Sequence, residues 1–179
     1  MKKVQIKNLS LCGLFAALTV VLSQISIPLG PVPINLALFS IFLAGGILGS
    51  RWGALSQIVF AALGACGLPV FAGFNGGISA LLGPTGGYII GYIFAAFITG
   101  LIIEKHKSKI IFIVIGMIAG LAVCYIFATV WFVVLTHTSL SKSIMLCVLP
   151  FLPGDFIRIS VSAILMKKLK ALLCGKIEK

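Results

Sequence analysis

The side chain with the greatest capacity for chemistry in this 179-residue sequence is Asp155, the single acid of the last apolar segment. Eleven residues separate it from Lys167, all apolar except Arg158, Ser160 and Ser162. On a helix rising about 1.5 Å per residue, Asp155 stands roughly 18 Å above Lys167. A hydrocarbon core is about 30 Å thick, so with Lys167 at one boundary the carboxylate lies at membrane depth. An ionisable group there is costly to hold and is by default a functional candidate. Pro150, Pro153 and Gly154 interrupt the chain just before it. Such a break makes a helix N-terminus inside the protein, where polar or anionic ligands are favoured. The plainer role is a helix cap that pairs with Arg158 one turn on. Arg158 itself either neutralises Asp155 or meets a ligand carboxylate, and spacing leaves both open.

Other chemistries lack their residues. There is no G-x-x-x-x-G-K-[ST] loop for ATP. The two histidines, His106 and His137, fall in different connections, and nothing has the form of a Ser/His/Asp or Cys/His set. Cys12, Cys66, Cys124, Cys147 and Cys174 sit singly in or beside apolar runs. They have neither metal-ligand spacing nor the clustering of a disulfide framework, and read as small apolar filler. No second membrane acid faces Asp155, so a two-carboxylate mechanism is unavailable. The expectation is a protein that is not an enzyme and holds no metal or cofactor. If it moves a solute uphill, the energy comes from an ion handled by Asp155 or from another subunit. One lone acid favours the partner.

The elements that must position these residues follow from composition. The chain is 60% apolar and 9% charged, with a mean hydropathy of +1.23. A soluble domain needs about a quarter of its residues charged, so the solvent here is lipid. The net charge of +11 does not indicate nucleic acid, because the bases bracket apolar runs instead of interleaving with aromatics. Six spans are expected in a single transmembrane domain, residues 1–179: Leu9 to Ile27, Asn35 to Ser50, Trp52 to Leu68, Gly87 to Ile103, Ile110 to Leu135, and a last one ending near Leu173. The first reads as a retained span and not a cleaved signal, since no small-x-small site with a polar sequel follows it. Twelve of the fourteen bases then fall at the termini and the even-numbered connections. By the positive-inside rule both termini are cytoplasmic in a multi-pass protein of the cell membrane. The outer connections are rich in proline and glycine, and the stretch from Leu68 to Gly87 is uncharged and still apolar. Such a loop is better suited to folding over something than to a solvated linker.

The first span carries Cys12, Gly13, Ala16 and Ala17, a strip of small residues repeating at four. That spacing lets another helix approach closely, whether within the chain or from a partner; Gly49/Gly53, Gly87/Gly91 and Gly116/Gly120 repeat the pattern.

Several motifs converge on one family. Gly67-Leu68-Pro69-Val70-Phe71-Ala72-Gly73, Leu82-Gly83-Pro84-Thr85-Gly86-Gly87-Tyr88 and Phe151-Leu152-Pro153-Gly154-Asp155 resemble the signatures of the BioY family. Pro28-Leu29-Gly30-Pro31-Val32-Pro33-Ile34 and Arg51-Trp52-Gly53-Ala54-Leu55-Ser56-Gln57 also match, in order along nearly the whole chain. These are the biotin-specific S components of energy-coupling-factor transporters. The resemblance implies an all-α six-helix bundle that binds biotin from outside. It also implies a partner module of a transmembrane coupling protein and two cytoplasmic ATPases, docked on the small-residue strip of the first helix. The family often carries alanines where this chain has Cys12 and Gly13.

By motif, Asn75 and Asp155 match the family's contacts to the ureido ring. That ring offers two N–H donors and one carbonyl acceptor; a carboxylate accepts only, whereas an asparagine amide does both. Phe71, Phe74 and Tyr88 are candidates for the apolar walls. Arg158, the Thr85 hydroxyl and backbone N–H groups of the Gly86-Gly87 turn are candidates for the valerate carboxylate. The rival readings are a stand-alone ion-coupled carrier with Asp155 as proton site, an S component for another vitamin, and a membrane scaffold without transport.

Overall fold

The computed structural model describes residues 3–174 apart from 29, 31, 107 and 108. It is a helical bundle. Helix α1 (Lys3–Gln24) runs unbroken for 22 residues, since its Leu, Val and Ala run contains no proline. Pro28 and Pro33 then exclude helix, and a short antiparallel hairpin forms between β1 (Ser26–Ile27) and β2 (Ile34–Asn35), with Ser26 opposite Asn35. The Asn35 Oδ1 accepts the Ala37 N–H at 3.0 Å as α2 (Ala37–Leu48) begins. Gly49, at φ +87°, turns the chain straight into α3 (Ser50–Ala65), a backbone conformation that glycine adopts without a Cβ penalty. The expected loop from Leu68 contains a one-turn helix, α4 (Ile78–Leu82). Helices α5 (Gly86–Lys105) and α6 (Ile110–Thr136) follow. The chain closes with α7 (Leu140–Cys147) and α8 (Leu152–Cys174).

The break expected ahead of Asp155 is present: α7 and α8 are bent by 49° about residues 148–151. Pro153 lies inside the first turn of α8, where a missing N–H breaks no intrahelical bond. Asp155 therefore sits in that first turn, its own N–H donating to Phe151 O at 2.9 Å.

Among the described residues, α1, α5 and α6 are long and apolar enough to cross a membrane, and the bent α7–α8 pair is a fourth candidate. Helix α2, with 12 residues, reaches only about 18 Å. The chain is a multi-pass membrane protein by this measure. The interior is mainly apolar, as in a soluble domain, but it also holds polar side chains, and the outside is apolar as well. Thr19, Ser40, Ser56 and Gln57 are fully buried, while Leu14, Ile126, Val134 and Phe156 face outward.

Close helix contacts rest on glycine. A Cβ on Gly91 would meet Cys124 Sγ at 3.0 Å, and Gly116 and Gly120 lie against Thr99 and Ala95, so α5 and α6 approach backbone to backbone. Gly53 faces Gly45 across the α2–α3 hairpin. The repeats Gly87/Gly91 and Gly116/Gly120 are thus consumed within the chain. The two basic junctions lie at one end, because Glu104 near the close of α5 accepts hydrogen bonds from Ser50 N at 3.0 Å and Ser50 Oγ at 2.9 Å. The end of α1, the loop after α3, the start of α5 and the start of α8 meet at the other.

Candidate functional site

That second end encloses a cavity of about 400 Å³, within the usual range for a small-molecule site. Its apolar walls are Leu38 of α2, Phe60 of α3, Phe71 of the following loop, Tyr88 and Ile89 of α5, and Phe151 of the α7–α8 turn. Phe60 meets Phe71 edge to face with ring centroids 5.4 Å apart. Phe151 lies 5.8 Å from Tyr88 and 6.4 Å from Tyr125, which ties the broken segment to α5 and α6. The Tyr88 hydroxyl donates to the Cys147 carbonyl, so its ring and not its oxygen is offered to the cavity.

Polar groups reach the cavity from four directions. Arg158 lies on the α8 side, Asn35 on the hairpin, Asn75 and Ser79 on the loop, and Thr85 at the head of α5. Asn75 is set by a bridge to Phe71, whose N–H donates to Asn75 O at 2.9 Å. Its Nδ2 donates to Ala72 O at 2.9 Å, leaving the second amide proton and Oδ1 for a ligand.

Asp155 and Arg158 form a buried pair at the base of the site. Asp155 is 1% exposed; its Oδ1 is bonded by Arg158 Nη1 and its Oδ2 by the Tyr125 hydroxyl. Arg158 is 6% exposed, lines the cavity, and its Nε is buried without a hydrogen-bond partner. A guanidinium that lines an aromatic-walled cavity, held through Nη1 by Asp155, can present its Nη N–H groups to a ligand acceptor oxygen.

Five of the eight residues singled out from the sequence for ligand contact line the cavity: Phe71, Asn75, Thr85, Tyr88 and Arg158. Three do not. Asp155 sits behind Arg158, with both oxygens engaged. Phe74 is 72% exposed on the outside of its turn, because its φ of +58° points the side chain away. Gly86 is buried, and its N–H is spent on Gly83 O at 3.0 Å, so it has none to offer a carboxylate. The pairing of Asp155 with Arg158, one of the two roles open from spacing, is the arrangement observed. Ser23, Asn35 and Tyr92 line the cavity and Tyr125 anchors Asp155, yet none stood out in the sequence. The one available signal was an asparagine at the head of an apolar span, at Asn35.

The small-residue strip on α1 is divided. Cys12 and Ala16 are each 2% exposed and packed within the chain, whereas Gly13 and Ala17 are exposed. A Cβ on Gly13 would meet nothing within 4 Å. The outward face is therefore half as wide as the strip suggested.

Fold and cavity together define a multi-pass helical membrane protein with a small-molecule site roofed by its own loops. Residues 1–174 match the model of the BioY family. The biotin transporter BioY of Thermotoga maritima is 42% identical over 166 residues, covering 93% of this chain and 97% of that protein. The probable biotin transporter BioY of Pyrococcus horikoshii is 42% identical over 164 residues, covering 92% and 96%. A crystal structure of the S-component for biotin from an ECF-type ABC transporter superposes with a TM-score of 0.88 at 30% identity, covering 95% of this chain and 94% of that one. This chain belongs to the BioY family.

Proposed function

We propose that this chain captures biotin and takes it up across the cytoplasmic membrane as the S component of an energy-coupling-factor transporter, a transport subunit and not an enzyme. The observation that carries the reading is the cavity itself. Aromatic walls suited to a fused ring and alkyl tail surround the Arg158 guanidinium, held by Asp155, and an asparagine amide able both to donate and to accept. The relatives named for biotin supply the substrate.

In this account Asn75 pairs with the ureido group, and Arg158 donates to an acceptor oxygen of the ligand. Asp155, through Tyr125 and Arg158, fixes that guanidinium. Thr85 is a second donor at the head of α5. Phe71 and Tyr88 supply the walls. In a dry site the ureido donors and acceptor must all be met, so a ligand lacking one of these groups is rejected. The engagement of both Asp155 oxygens weighs against a stand-alone carrier that uses this carboxylate as its proton site.

The bundle spans six times, by α1, α2, α3, α5, α6 and the bent α7–α8 pair, with both termini in the cytoplasm. The support is charge: Arg51 and Lys105 mark the end where Ser50 meets Glu104, opposite the cavity, and Lys7 of α1 and Lys167 and Lys168 of α8 lie toward the same end. The cavity then opens outward. Gly13 and Ala17 offer the close-approach face on which a transmembrane coupling protein docks, and two ATPase subunits bound to that protein supply the energy. The loop from Leu68 to Gly87 closes over the ligand.

The test is calorimetric titration of the purified chain in detergent with biotin, riboflavin and thiamine. Saturable heat with biotin alone is expected. Folded protein that binds riboflavin or thiamine instead makes it an S component for another vitamin, and binding of none removes the substrate assignment.

A further inference from the structure

The last turn of α1 holds both segments that roof the cavity. Leu22 O accepts the Leu36 N–H at 3.2 Å, beside the hairpin residue Asn35. Ser23 Oγ donates to Val70 O at 2.6 Å. Gln24 contributes more than either. Its Nε2 donates to Val70 O at 3.0 Å and to Phe71 O at 3.1 Å, while its Oε1 accepts the Phe74 N–H at 2.9 Å.

The segment held in this way is conformationally expensive. Gly73 and Phe74 are both at positive φ, +72° and +58°, and the left-handed region is unfavourable for a phenylalanine. The turn is closed internally by the Phe71–Asn75 bridge. Its outward carbonyls at 70 and 71 and its amide at 74 have no strand beside them. The Gln24 amide takes the place of that strand, donating to two carbonyls and accepting from one N–H. A side chain must both donate and accept to do this, and must span from Val70 to Phe74; the Ser23 hydroxyl meets Val70 O alone, and a carboxylate only accepts. The same turn carries Phe71 and Asn75 to the cavity wall.

We infer that Gln24 is a positioning residue for ligand retention: without touching the ligand, it clasps the 70–75 turn to α1 and so holds Asn75 and Phe71 over the cavity. Its effect on biotin rests on the function proposed above, whereas its effect on the turn does not. Because α1 also carries the open Gly13 and Ala17 face, the clasp links that face to the roof through a single helix.

The experiment compares full-length wild type, Gln24→Ala and the near-isosteric Gln24→Glu in detergent, by hydrogen exchange of the peptide spanning residues 68–77 without ligand and by biotin association and dissociation rates. Both variants are expected to speed exchange in that peptide while α5 and α6 stay protected. Biotin dissociation is expected to rise about tenfold, the loss of one to two net hydrogen bonds, with association changed less than threefold. Gln24→Glu keeps the acceptor for Phe74 N–H but places a carboxylate against two carbonyls, so it is expected to loosen the turn as Gln24→Ala does. Wild-type exchange in both variants overturns the clasp, whatever biotin does. Faster exchange together with unchanged dissociation overturns the role in retention. Wild-type protein that binds no biotin removes the substrate assignment instead, and leaves exchange to decide the clasp.

Discussion

The two acids among the described residues stand at opposite ends of the bundle and do different work. Glu104 lies on the surface near the close of α5 and accepts from the first N–H and the hydroxyl of Ser50, so a neighbouring helix supplies the negative charge that the start of α3 lacks. Solvent is within its reach, and the cleft it borders with Ser50, Arg51 and Trp52 lies away from the aromatic-walled cavity. Asp155 is buried at the start of α8, bonds Arg158 and Tyr125, and so fixes the guanidinium that lines the cavity. The same carboxylate chemistry stabilises a helix end at one pole and aims a cation at the other. What separates them is burial, since a lost partner costs little where solvent replaces it and much where nothing can.

Substitution at each site tests that contrast. The largest effect is expected from Asp155→Ala, which strands a buried guanidinium and a buried hydroxyl. Thermal unfolding in detergent is expected to show a loss of about 3–5 kcal/mol, the range for breaking a buried pair, and biotin binding is lost with it. Arg158→Ala comes next. It removes the charged donor from the cavity, and calorimetry is expected to give affinity about 10–100-fold weaker, from roughly 1.5–3 kcal/mol for a charged hydrogen bond. Tyr125→Phe deletes one of the hydrogen bonds that hold Asp155 and leaves the charge pair in place. About 1 kcal/mol is expected, seen as affinity weakened roughly fivefold. The smallest effect belongs to Glu104→Gln, about 0.3–1 kcal/mol of stability with biotin affinity unchanged in the same titration. If Glu104→Gln weakens biotin binding as much as Tyr125→Phe does, the two ends are not independent and the contrast fails.

Much of this architecture is legible in the sequence, and the exceptions share a cause. The helical segments follow from apolar runs bounded by proline, glycine and lysine, and the break before Asp155 follows from Pro150, Pro153 and Gly154. Phe71, Asn75, Thr85 and Tyr88 could be named through the resemblance of their proline- and glycine-rich motifs to the BioY family, and Arg158 as a base within an apolar segment. Tyr125, Asn35 and Gln24 could not. Each is an ordinary polar residue in or beside an apolar segment, and only the packing of α6, the hairpin and α1 against the cavity end assigns it a partner. The same limit applies to the strip on α1. Spacing of four puts Cys12, Gly13, Ala16 and Ala17 on neighbouring lines of one helix, but the packing of α1 against α2 and α3 decides which line faces outward. The reversal at Phe74 is likewise set by a local backbone angle, which turned an expected wall residue to the outside.

The most direct test of the account is a crystal structure of this chain with biotin bound. The account predicts ligand density in the cavity between Asn75 and Arg158, with the Arg158 guanidinium donating to a ligand oxygen and Asp155 still paired with Arg158 and Tyr125. Density outside this cavity would contradict it. So would an Asp155 carboxylate released from Arg158 and bonded directly to the ureido ring.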